Sequence, residues 1–120
     1  MKTWTEASVL SRIRSVLRRF SMQVPAIPEA KRACRRPYTG ENKRVKWEYQ
    51  CAACKNWFFD KQTQVDHVVP AGKLRSFDDL SAFAKRLLFV TPDQLQVLCL
   101  PCHQTKSTEE RRLAREQPAE

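Results

Sequence analysis

The 120 residues contain no apolar run approaching the roughly 20 residues of a membrane span. The opening Met1-Lys2-Thr3-Trp4-Thr5-Glu6 lacks the apolar core of a signal peptide. A cytoplasmic, membrane-free setting is therefore expected, and there clustered cysteines are more often metal ligands than disulfides. Neither internal repeats nor low-complexity tracts occur. Histidine occurs twice, at 67 and 103, so chemistry that needs an imidazole has two candidates. Acidic residues are scarce early on. Residues 1–47 hold 12 Lys/Arg against 3 Asp/Glu, residues 48–120 hold 10 of each, and the whole net charge of +9 lies in the first part. A basic segment joined to a neutral domain suits a polyanion, and nucleic acid is the natural candidate.

The length is that of one domain with an appended arm. Its core is modest, and small domains commonly need a staple such as a metal. Residues 4–20 carry Leu10, Ile13, Leu17 and Phe20 at helical spacing, widened by Val9 and Val16, with Arg12, Arg14, Arg18 and Arg19 on the remaining surface. Pro25 and Pro28 are expected to stop regular structure. Residues 29–46 form a basic stretch, punctuated by Pro37 and Gly40, that begins as a short helix and ends as a loop. Its cations, Arg32, Arg35, Arg36, Lys43 and Arg44, are candidate phosphate contacts. The expected divisions are a basic amphipathic helix over 1–22, a basic linker over 23–46, and the Cys/His domain over 47–120.

Trp47–Gln50 is a short strand running into a turn at Cys51–Cys54, and Trp57–Phe59 is its return. Residues 64–69 form the next strand, with Val65, His67 and Val69 on one face and Asp66 and Val68 on the other. Ser76-Phe77-Asp78-Asp79 resembles a capping box and starts a helix to about Phe89. Gln94 to Leu98 delivers Cys99. Pro101 suits the first turn of a helix carrying Cys102, His103 and Lys106. Ser107-Thr108-Glu109-Glu110 is expected to cap a fresh, charged helix to about Glu116, with a frayed tail after it.

Of the five cysteines, four form two Cys-x-x-Cys half-sites, Cys51/Cys54 and Cys99/Cys102, and Cys34 is a spare thiol. Two residues between thiolates let a tight turn aim both at one ion, and four thiolates match the closed tetrahedral site of structural Zn²⁺. With no open coordination position, such an ion serves folding rather than chemistry.

The set Cys51-x-x-Cys54, Val65-Asp66-His67-Val68-Val69-Pro70, Gln94-Leu95-Gln96-Val97-Leu98-Cys99-x-x-Cys102-His103 and Lys106 resembles the HNH endonucleases, or ββα-metal nucleases. More narrowly it is similar to the small HNH proteins of tailed bacteriophages. The likeness is strong over residues 47–108 and loose before them. It implies an α+β fold, a small zinc-stapled ββα-metal domain of treble-clef type, with an N-terminal helix and basic arm. It implies a phosphodiester hydrolase acting on DNA, duplex by preference, as a monomer or weak dimer, in the host cytoplasm where the gene is a phage's. His67 matches the family's general base. Asp66 and His103 match its ligands for a catalytic divalent ion, Mg²⁺ or Mn²⁺, with Ni²⁺, Co²⁺ or Zn²⁺ also compatible with a His ligand. Lys106, one turn from His103, is placed to contact phosphate.

One departure stands out. The family's middle Asn, which commonly holds the loop bearing the base, is Gln94 here, an amide on a longer stem. The Gly pair usual after the His motif is reduced to Gly72. Two rival readings follow: a non-catalytic zinc module that binds nucleic acid, which needs neither His, and a treble-clef zinc protein that binds another protein. The segregated basic charge argues against the second.

Overall fold

A computed structural model describes residues 1–116 as a small α+β protein of four helices and two small sheets. Residues 117–120, where the frayed tail was expected, lie outside the described residues. The chain forms two compact units, each assembled from separated segments: residues 1–29 with 67–95, and residues 30–66 with 96–120.

In the first unit, helix α1 spans Glu6–Ser21. Thr5 caps it, its hydroxyl accepting from the Ser8 N–H at 3.2 Å, with Glu6 in the first turn and Arg18 and Arg19 in the last, as the helix dipole favours. Leu10 is buried and Ile13 and Leu17 pack beside it, as the periodicity predicts. Phe20 and Val16 are instead exposed, and Ser21 is buried on the inner face. Helix α3, Leu80–Leu88, supplies Phe83 and Leu87 to the same core, and the intervening loop supplies Ala71 and Leu74. Full burial of such side chains stabilises by about 1.5–3 kcal/mol each. Ser76 does open this region. Its N–H donates to Asp79 Oδ2 at 3.2 Å, but the first turn, Phe77–Asp79, is a 3₁₀ turn and the α-helix begins one turn later than expected.

Helix α2, Ala26–Ala33, forms where the prolines were expected to forbid regular structure. Pro25 precedes it and Pro28 falls in its first turn, where the missing N–H has no intrahelical partner to lose. In the second unit, Arg35–Pro37, within the stretch read as a linker, is strand β1. It pairs antiparallel with β2, Trp47–Gln50, which pairs with β3, Trp57–Phe58, in the order β1-β2-β3. A second sheet joins β4, Thr63–His67, to β5, Leu95–Cys99. Helix α4 runs unbroken from Leu100 to Glu116. The expected break at Ser107 is absent, because no Pro or Gly interrupts the segment and pairs such as Lys106–Glu110 and Arg112–Glu116 support it at i,i+4 spacing. No helix among the described residues is long and apolar enough to cross a membrane.

Candidate functional site

The four half-site cysteines converge in the second unit. Cys51 and Cys54 flank a tight knuckle after β2, in which the Lys55 N–H donates to the Cys51 carbonyl at 3.0 Å and the Cys51 N–H to the Asn56 carbonyl at 2.9 Å. Closing that turn puts Lys55 in the left-handed region, at φ 65°. Cys99 ends β5 and Cys102 lies in the first turn of α4. A bond from the Ala52 N–H to the Val97 carbonyl, 2.8 Å, ties the knuckle to β5. Leu98 and Phe58 pack beside the thiols. All four Sγ atoms lie within 4.8 Å of one another, with Cys54 and Cys99 4.0 Å apart. A tetrahedron with metal–sulfur bonds of about 2.3 Å has edges of about 3.8 Å. The four cysteines can therefore hold a structural metal such as zinc.

The thiols are electrostatically unequal. Burial pushes the Cys51 thiol up, but hydrogen bonds from the backbone at Cys54, Cys99 and Ala53 outweigh it and bring it down to about 6. The side-chain hydrogen bond with Cys99, then burial, push Cys102 up to about 12. Cys34 lies outside the cluster, and burial raises its thiol.

Beside the cysteines, α4 and β4 form a second cluster. Asp66, on β4, and His103, on α4, approach with His103 Nε2 3.8 Å from Asp66 Oδ1. Lys106 Nζ lies 2.8 Å from the other oxygen, Oδ2, and also pairs with Glu110. Gln96 Nε2 donates to the same Oδ2 at 3.4 Å. His103, Lys106 and Glu110 share one face because they fall at i, i+3 and i+7 of a continuous helix. Burial alone would lower the Lys106 ammonium; hydrogen bonds with Asp66 and Glu110 outweigh it and hold it above its ordinary value. Gln96 and Glu110 were not singled out from the sequence. Glu110 had a signal, its i+4 spacing from Lys106; Gln96 had none beyond its place in the strand.

His67 ends β4, directly after Asp66 in the chain, and is half-buried with its Nε2 shielded from solvent. In the first unit it lines an open cavity of about 550 Å³ together with Gln94, Lys85, Arg86 and Phe89. Phe89 stands exposed at its edge, and Arg86 Nε donates to the Ala71 carbonyl at 2.5 Å. Gln94 closes the 3₁₀ turn Pro92–Gln94, its Oε1 accepting from the Thr91 N–H at 3.0 Å. Its backbone carbonyl accepts from the Val68 N–H, also at 3.0 Å. The tie to the loop after His67 is thus made by the backbone at position 94, and the amide is spent on its own turn.

The basic candidates divide into two groups. Arg32, Lys43 and Arg44 are exposed. Arg35 lies 3.8 Å over the Trp47 ring, and Arg36 lies 3.9 Å over Trp57 while its Nε pairs with Glu48 at 2.6 Å. These two cations are held on the three-stranded sheet rather than on a loose arm, and Glu48 matches the charge of Arg36.

No family model, no curated protein and no solved structure matches this chain.

Proposed function

We propose that this protein is a metal-dependent endonuclease of the HNH type, hydrolysing phosphodiester bonds in DNA, with a structural zinc in the four-cysteine cluster. The observation that carries the reading is the convergence of Asp66 and His103, distant in sequence, to 3.8 Å beside that cluster. The donor set, one carboxylate and one imidazole, is one that would suit a divalent ion.

In this reading Asp66 and His103 hold the ion. His67, the next residue after Asp66, takes the proton from the attacking water. A neutral imidazole suits that step because its ordinary pKa lies near neutrality. An ion held by Asp66 and His103 would supply Lewis-acid stabilisation of the phosphate and of the leaving oxygen. Lys85 and Arg86, in the cavity with His67, offer positive charge to the backbone of the strand being cut. The exposed cations Arg32, Lys43 and Arg44 add affinity for phosphates without reading sequence.

The test is conversion of supercoiled plasmid to open circle, with and without Mg²⁺ or Mn²⁺, beside His67→Ala. Metal-dependent nicking by the wild-type chain, lost in His67→Ala, is the expected result. If both proteins bind DNA and neither cuts with any divalent ion, the nuclease reading fails and a zinc-stabilised nucleic-acid-binding module replaces it.

A further inference from the structure

We propose that Lys106 is a resident counter-cation of the Asp66–His103 pair, so that the divalent ion and a nucleic-acid phosphate bind there cooperatively. The inference rests on the nuclease reading above. The Lys106 ammonium sits 2.8 Å from Asp66 Oδ2, and Gln96 donates to the same oxygen at 3.4 Å. The other oxygen, Oδ1, lies 3.8 Å from His103 Nε2. The charge of Asp66 is therefore already matched by a cation tethered to the same chain.

A divalent ion between Oδ1 and Nε2 would share the carboxylate with that ammonium. The Lys106 and Asp66 side chains are 23% and 17% exposed, so solvent screens the repulsion between the two cations only in part. An ammonium a few ångströms from the ion repels it and offsets part of what the ion gains from the carboxylate. Of the charged side chains paired with Lys106, Glu110 offsets part of that repulsion and gives the ammonium a second holding point one turn along α4. A phosphodiester adds the negative charge that the ion and Lys106 together require. The ion then binds weakly without substrate and tightly with it, which restrains metal-driven chemistry until nucleic acid is in place.

The experiment titrates Mn²⁺ into the zinc-loaded full-length chain and follows free Mn²⁺ by electron paramagnetic resonance. It is run with and without a short DNA duplex, in a His67→Ala background so that the duplex stays intact. Without DNA, Lys106→Met is expected to bind Mn²⁺ about tenfold more tightly than the parent. Lys106→Arg should keep the parent's weak binding, and Asp66→Asn should abolish binding. Duplex should tighten Mn²⁺ binding to the parent by a larger factor than binding to Lys106→Met. Lys106→Gln serves as a second neutral variant should methionine disturb α4. Equal or weaker Mn²⁺ binding by both neutral variants, with binding still lost in Asp66→Asn, overturns the role of Lys106 and leaves the metal site standing. Binding by no variant, or binding indifferent to Asp66→Asn, overturns the proposal together with the metal-dependent reading it rests on.

Discussion

Two residues carry backbone conformations that their chemistry does not share equally. Lys55 closes the cysteine knuckle at φ 65°, a region that costs a residue with a Cβ about 1–2 kcal/mol. Glycine avoids that cost and gives back about half of it in unfolded-state entropy. Lys55→Gly is therefore expected to raise the thermal midpoint by a few degrees, with zinc content unchanged, measured by calorimetry and metal analysis. Gly72 sits at φ 88°, where a Cβ would meet Arg86 Nη2 at 3.4 Å. That distance is tolerable, so Gly72→Ala should destabilise through its backbone angle, by about 1 kcal/mol in denaturant unfolding. A midpoint unchanged in Gly72→Ala would show that the loop relaxes around the new side chain. Phe83, fully buried among Leu10, Leu74 and Leu87, is the residue whose truncation should cost most, about 3–5 kcal/mol for Phe83→Ala.

At the scale of elements, the Gln94 turn ties down the loop after His67 in the first unit, and helix α4 carries the partners of Asp66 in the second. Gln94 stands where the resemblance to HNH endonucleases implies an Asn, yet the bond to the Val68 N–H comes from its backbone carbonyl, which any residue keeps. Its side chain caps the turn through the Thr91 N–H. Removing one such exposed bond costs about 1 kcal/mol. Under the proposed nuclease function, Gln94→Ala should then lower plasmid nicking by less than about tenfold, whereas His67→Ala is expected to abolish it. A loss in Gln94→Ala as large as that in His67→Ala would mean that the amide itself acts on the base or the substrate. In α4, continuity past Ser107 puts Glu110 on the face of His103 and Lys106, and a helix restarted at Ser107 need not have done so. Serine and threonine cap a helix only where the chain is otherwise free to leave it, and this chain has no reason to leave.

For the whole molecule, neither unit is a continuous piece of chain, and the second is joined through cysteines from its two segments. A strong chelator is expected to remove the metal and abolish cooperative unfolding of residues 30–66 and 96–116, read by hydrogen exchange, because metal binding and folding are one equilibrium in such sites. Cys54→Ser should do the same with no chelator present. The net charge of +9 predicts DNA affinity that falls steeply with salt, with a log–log slope of about −0.9 for each phosphate neutralised. A flat salt response would remove nucleic acid as the partner.

Local pattern determined a good part of this protein. Two Cys-x-x-Cys spacings located the four-cysteine cluster because each pair is aimed by its own tight turn. The stripe Leu10, Ile13 and Leu17 located the buried face of α1 because helical periodicity is a property of a few turns. The places where expectation and structure part are those set by contacts between distant residues. Arg35–Pro37 is a strand because β2 lies beside it, and its arginines rest on Trp47 and Trp57, partners no local pattern names. Phe20, though in helical register with Leu10, Ile13 and Leu17, is exposed and is not among the residues packed on that core. The pairing of Asp66 with Lys106 and Gln96 likewise exists only once β4, β5 and α4 have come together. Spacing along a chain fixes which side chains share a face; which face meets which is decided by packing, and the chemistry of the Asp66 cluster depends on the second.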